Sequence, residues 1–261
     1  MSHVGNESGD LLVACGVSKR FGGQRVVDGV SFSIPAGAIT GLIGPNGAGK
    51  TTLFNCLAGF YKPDAGKIVI DGRNICGLAP HHVFAAGLAR TFQIPRLFPE
   101  MTVLDNVTVA ARHQAGERLW NNFVNARRVR EQAKQGYEAA LYWLEFVGLA
   151  DLARKPAQIL SGGQRKLLEL ARVMIAEPKL VLLDEPGAGV NPVLLDRVVE
   201  KILALNQKGT TFLIVEHNMD LVVSLCRSLM VMVEGQLLLH GDPVSVLQDA
   251  RVVEAYLGPA T

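Results

Sequence analysis

The sequence predicts an α/β fold in which parallel strands are covered by helices on both faces, and three observations predict it. The runs 180–183 and 212–215 are continuously apolar, without alternation, and end abruptly in acid at Asp184 and Glu216. Strands buried on both faces read this way. A third apolar run, 39–43, leads into a glycine-rich loop and then a helix-like stretch from about Lys50. Between Gln93 and Ser161 the pattern changes to helix, which predicts an inserted helical subdomain.

Taken in order, the β-like runs 11–14, 30–34 and 39–43 are separated by the turn signals Phe21-Gly22-Gly23 and Pro35-Ala36-Gly37. Within the insert, Thr102 is placed to cap a helix from Val103, and Tyr137, Ala140, Leu141 and Leu144 recur at helical spacing. The stretch 125–134 carries Arg127, Arg128, Arg130 and Lys134, which suits a solvated helix face or a contact with anionic lipid or nucleic acid. Residues Leu167, Leu168, Leu170 and Ala171 mark a further apolar helix. No internal repeat or low-complexity tract is present, so one catalytic unit is expected.

Composition narrows the function classes. The 261 residues are 49% apolar and 19% charged, an ordinary globular balance that can fold without disulfide or metal staples. With 26 Lys+Arg against 24 Asp+Glu, the net charge of +2 argues against bulk attraction to nucleic acid, and no nucleic-acid partner is expected. The most apolar stretch, 221–233, is broken by Ser224, Arg227 and Ser228 and falls short of the roughly 18 to 20 residues of a membrane span. Residues 1–10 are polar without a basic-then-apolar order, which reads as a short disordered lead and a cytoplasmic chain. Cys15, Cys56, Cys76 and Cys226 lack paired spacing, so buried reduced thiols are expected.

The chemistry begins at Gly44-Pro45-Asn46-Gly47-Ala48-Gly49-Lys50-Thr51, which satisfies G-x-x-x-x-G-K-[ST] between a strand and a helix. Glycines let successive N–H groups turn inward, and a helix N-terminus adds partial positive charge, so the loop can wrap a polyphosphate. Lys50 would neutralise the β- and γ-phosphates, Thr51 would ligate Mg2+, and Thr52 can donate to a phosphate oxygen. Asp184 and Glu185 close a buried strand at the edge where open α/β sheets bind ligands. Asp184 suits the Mg2+ shell through water, and Glu185 can accept a proton from an attacking water. Alone, such an acidic pair also occurs in solvated turns.

Leu160-Ser161-Gly162-Gly163-Gln164 follows the insert. With the two motifs above it resembles the nucleotide-binding subunit of ATP-binding cassette transporters, over nearly the whole chain and in the family's order. Ser161 and Gln164 also stand in capping-box spacing, and both readings can hold because a capped helix start is itself an anion site. The resemblance implies a P-loop NTPase of the ABC type, from about residue 11 to 261, with an N-terminal antiparallel β portion and a helical subdomain inserted at about 94–160. It implies ATP hydrolysis with ATP and Mg2+. It also implies that two subunits pack head to tail, Ser161 and Gly163 of one contacting the γ-phosphate held by the other. Phe21 matches the aromatic that stacks on adenine. Gln93 matches the glutamine that senses Mg2+ and the attacking water, and His217 the switch histidine. His81, His82 and His113 are read as surface or core residues. Asn191 stands where many members carry Asp, keeping hydrogen bonding but losing charge.

Within the family, Arg90-Thr91-Phe92-Gln93, the run from Arg96 through Leu97, Phe98, Pro99, Glu100, Met101 and Thr102 to Val103, and the ending Glu254-Ala255-Tyr256-Leu257-Gly258 look like the ATPases of branched-chain amino acid importers. Lipopolysaccharide exporters share that ending and the Ala188-Gly189-Val190 stretch, urea importers are also close, and a soluble ATPase of iron-sulfur assembly is a competing class. The implied partners are integral membrane permease subunits, a second ATPase subunit, identical or not, and indirectly a substrate-binding protein outside the membrane. The chain would then lie peripherally on the inner face of the membrane. Leu97, Phe98 and Met101 are expected either to form a groove for a permease helix or simply to pack the insert.

Overall fold

A computed structural model describes residues 9–111 and 126–257. The chain divides into two compact units, one of residues 1–90, 178–187 and 202–261, the other of 91–177 and 188–201.

The first unit contains two sheets. In one, β1 (Asp10–Phe21) pairs antiparallel with β2 (Gln24–Pro35) across the Gly22-Gly23 turn and with β4 (Ala65–Ile70) on its other side, and β4 pairs with the short β5 (Arg73–Asn74). The strand starts at Asp10, so the last residue of the expected lead is ordered in the sheet; residues 1–8 lie outside the described residues.

The second sheet has the order β10-β9-β3-β8-β7-β6. Its members are β3 (Ile39–Ile43), β6 (Leu88–Arg90), β7 (Leu180–Asp184), β8 (Thr211–Val215), β9 (Ser228–Val233) and β10 (Gln236–Gly241). All neighbours are parallel except β9 and β10. Every residue of β3, β7 and β8 is buried, which is why those segments lack polar alternation. The register sets Leu42 and Asp184 both opposite Val215, so the loops after β3, β7 and β8 leave from one edge.

Helix α1 (Lys50–Leu57) buries Leu53, Phe54 and Leu57 in a core shared with Leu42, Leu182, Leu213 and Met230. Helix α2 (Pro80–Ala85) precedes β6. The apolar stretch 221–233 divides into helix and strand, and among the described residues no helix is long and apolar enough to cross a membrane. All four cysteines are free; Cys56 and Cys226 are buried, but Cys15 on β1 and Cys76 just after β5 are only half-buried.

The second unit contains α3 (Val103–Thr108), α4 (Ala126–Phe146), α5 (Gly162–Met174) and the start of α6 (Pro192–Gln207). Thr102 caps α3, its hydroxyl accepting the Asp105 N–H at 3.0 Å. The fully buried Asn106 accepts from Phe98 N–H at 2.8 Å and donates to Phe98 O at 2.9 Å and Thr102 O at 3.0 Å, fixing the loop between them. That loop leaves Phe98 exposed and Leu97 and Met101 half-buried, with Ile94 80% exposed nearby in sequence. Of the basic stretch, Arg130 and Lys134 are exposed and Lys134 lies 3.7 Å from Glu138; Asn125, the side chains of Arg127 and Arg128, and His113 lie outside the described residues.

Candidate functional site

The loop after β3 is folded around Lys50. Its Nζ donates to Gly44 O at 2.6 Å and Pro45 O at 3.0 Å, bending the loop over the first turn of α1. Gly49 turns the chain into that helix at φ 95°, where a Cβ would come within 2.3 Å of Val26 O; only glycine fits both constraints. No side chain caps α1, so its first-turn N–H groups face an open cleft of about 220 Å3 lined by the loop, Thr51, Thr52, Glu185 and His217. Burial pulls the Lys50 ammonium below its usual value, against the opposing pull of Glu185 and Asp184. An uncapped helix start, a buried cation and open hydroxyls together fit a polyphosphate with its metal.

Glu185 follows β7 with φ 48°, a left-handed conformation that costs a side-chain-bearing residue about 1–3 kcal/mol. Two anchors hold it: its N–H donates to Val215 O at 2.9 Å, and its Oε1 lies 2.8 Å from His217 Nε2. The turn carries the carboxylate off the strand line and onto the cleft wall. Asp184, one residue earlier, is buried and accepts from Arg90 Nη2 at 2.8 Å. Arg90 in turn donates to Asn55 of α1 at 2.6 Å and stands over the rings of Phe54 and Phe60. Asp184 is thereby fixed from the sheet side, in a pair whose two side chains are both nearly sealed from water.

Glu216 stands between the loops after β7 and β8. Its Oε1 accepts from Gly187 N–H at 2.7 Å, and its Oε2 from His217 N–H at 3.0 Å and Asn218 N–H at 3.4 Å. Asn218 then caps α7 (Met219–Leu225) through Leu221 N–H. Elsewhere in this unit Phe21 is 44% exposed, meeting Tyr61 edge-on at 5.3 Å, so it is not a core residue.

In the second unit, α5 begins with a complete capping box. Ser161 Oγ accepts from Gln164 N–H at 3.3 Å while Gln164 Oε1 accepts from Ser161 N–H at 3.0 Å. A Cβ on Gly163 would meet Leu194 at 2.7 Å, so glycine there lets α5 pack closely on the start of α6. Asn191 caps α6, its Oδ1 accepting Leu194 N–H at 2.9 Å, a task an amide oxygen performs as well as a carboxylate. Gln93 is exposed; its carbonyl accepts from Lys166 Nζ at 2.7 Å, and Glu169 accepts Phe92 N–H at 2.9 Å, tying this segment to α5.

The family described as ABC transporter matches residues 27–188, which include the loop at Gly44, the signature at Ser161 and the acids after β7. The chain belongs to the ABC transporter family. It is similar to a probable branched-chain amino acid transport ATP-binding protein of Archaeoglobus fulgidus, 42% identical over 95% of both chains. It is also similar to a high-affinity branched-chain amino acid transport ATP-binding protein of Pseudomonas aeruginosa, 39% identical over 96% of this chain and 98% of that one. Among solved structures, a nucleotide-free ATP-binding cassette from an ABC transporter superposes with a TM-score of 0.83 at 37% identity, over 95% of this chain and 99% of the other.

For an ABC ATPase subunit, the first unit gathers Asn46 through Thr52, Glu185 and His217 on one cleft; Gly44 and Pro45 do not line it but hold Lys50 through their carbonyls, and Asp184 is paired with Arg90. Gln93, Ser161, Gly162, Gly163 and Gln164 belong to the second unit. Sequence reasoning missed the roles of Arg90, Asn55 and Glu216. Arg90 and Glu216 adjoin the recognised motifs, but nothing in residue type or spacing reveals a bond to Asp184 or Gly187; a charged residue ending an apolar strand is the one signal available.

Proposed function

We propose that this ABC ATPase subunit holds ATP in the cleft over Gly44, Pro45, Asn46, Gly47, Ala48, Gly49, Lys50, Thr51 and Thr52, with Phe21 against the adenine. Lys50 and the α1 N–H groups bind the β- and γ-phosphate oxygens. In the first unit Thr51 and Asp184 are the residues that would hold Mg2+, which when bound neutralises charge on the phosphates. Glu185 takes a proton from the attacking water, and His217, beside its carboxylate, orients it and reaches the γ-phosphate. The observation that carries this reading is the convergence of Lys50, Glu185 and His217 on the mouth of one uncapped helix.

Binding of a second subunit would complete the site, with Ser161, Gly162, Gly163 and Gln164 of one copy facing the γ-phosphate of the other. Dimer closure and opening then drives membrane permease subunits, which receive an external substrate-binding protein on their far side. Similarity to two branched-chain amino acid transport ATP-binding proteins over nearly their full length supports import of branched-chain amino acids as the task, with this chain on the inner face of the membrane.

Glu185→Gln tests the chemistry. It should lower kcat by on the order of 10²–10⁴-fold while nucleotide affinity persists. Turnover at the wild-type rate would remove Glu185 from its role.

A further inference from the structure

Glu216 is 4% exposed and carries a carboxylate, yet among the described residues no Lys, Arg or His side chain lies within ion-pair distance of it. What satisfies it is backbone. One oxygen receives Gly187 N–H at 2.7 Å, two residues beyond Glu185; the other receives His217 N–H at 3.0 Å and Asn218 N–H at 3.4 Å. A buried carboxylate held by N–H groups alone is expensive to desolvate, and removing it would leave three backbone donors without their acceptor. The arrangement is also directional: each oxygen serves a different loop, so the side chain is a strut between them.

Those loops carry the two groups that meet in the cleft, Glu185 and His217, with 2.8 Å between Oε1 and Nε2. Glu185 is held in a left-handed conformation, and its N–H anchor on Val215 lies upstream of the side chain. The Gly187 bond closes the turn from the downstream side. The strut therefore bounds the strained turn at its far end and links it to the backbone amide of His217 itself.

We infer that Glu216 is a positioning residue that sets the separation of Glu185 and His217, and so acts on the hydrolytic step without touching nucleotide. This rests on the roles given above to Glu185 and His217. Glu216→Gln is the informative variant, because it is isosteric. The amide offers one acceptor oxygen and an NH2 that cannot accept, so one of the two loops is released while the volume stays filled.

With the purified full chain, Glu216→Gln should lower kcat at least about tenfold while KM and the Kd for a nonhydrolysable ATP analogue stay within about threefold of wild type. The inference is overturned if the folded variant keeps kcat within about twofold of wild type, or if KM and Kd rise together while kcat holds. Should the variant fail to fold, amide exchange on the wild-type chain decides: slow exchange at Gly187 and Asn218 upholds the strut, and exchange at the rate of an open loop overturns it. Glu185→Gln separates the two ideas. If it stops turnover and Glu216→Gln changes nothing, only the strut is wrong; if it leaves turnover intact, the underlying reading is wrong.

Discussion

Glu185 illustrates what a single residue contributes that its position in a motif does not reveal. Its place after an apolar strand is legible in the sequence, but its left-handed backbone and its approach to His217 arise from hydrogen bonds to β8 and the loop beyond, about thirty residues away in the chain. The same limit applies to Arg90, whose partners Asn55 and Asp184 come from two other elements. The cysteines show the limit from the other side, since composition alone makes all four look buried. Burial pushes the thiol of Cys56 up to about 11 and that of Cys226 up to about 12, leaving both protonated at neutral pH, whereas Cys15 and Cys76 are partly open. Maleimide labelling of the native chain at neutral pH should therefore modify Cys15 and Cys76 first, read by peptide mass. Early labelling of Cys226 would contradict the burial of its strand-side pocket.

At the scale of elements, termini were more legible than pairings. Thr102 and the Ser161 and Gln164 pair cap the helices their spacing predicts, because capping is decided within three residues. The strands β9 and β10 were not foreseen, since apolar runs without alternation suit helix and strand alike and only the neighbouring β3 decides. Among the described residues two helices follow β10, α8 (Pro243–Leu247) and α9 (Ala250–Leu257), and α9 depends on a similar local device. Asp249 accepts from the Arg251 guanidinium at 3.0 and 2.9 Å and from Arg251 N–H at 2.9 Å, and these bonds hold its carboxyl down at about 2. A carboxyl whose folded value lies below its unfolded one supports the fold above the ordinary range near 4, and that support is lost as pH falls toward about 2. Amide exchange over 250–257 should accordingly show wild type better protected than Asp249→Asn at pH 6, the gap closing at about pH 2. Equal protection at pH 6 would show that the anchor contributes nothing to α9.

For the whole molecule, the α/β class followed from the continuous apolar runs, and the nearness of the loop at Gly44 to Asp184 from the rule that parallel strands deliver their loops to one edge, which the observed register obeys; His217 was legible only through the family resemblance. The close packing of α5 on α6 at Gly163, Val190 and Leu194 did not follow, because sequence spacing does not register it. The proposed pairing of two copies is a property of this scale and has its own test. Ser161→Arg, made in the Glu185→Gln chain, places bulk and charge on the exposed start of α5, so ATP should no longer produce a dimer in sedimentation. Glu138→Arg, which places the same bulk and charge on the exposed face of α4, serves as the control and should still dimerise. Dimers of the Ser161→Arg variant at wild-type level would refute the head-to-tail arrangement.

The two helix starts differ in one respect that bears on how such a machine resets. At α1 no side chain answers the leading amides; at α5 Ser161 and Gln164 already do. In the proposed sandwich an incoming phosphate gains a full complement of fresh donors on its own side and displaces or shares existing ones on the other. The seam is asymmetric by construction, and once the terminal phosphate is cut it should part at the self-satisfied helix while the spent nucleotide stays behind with the unsatisfied one.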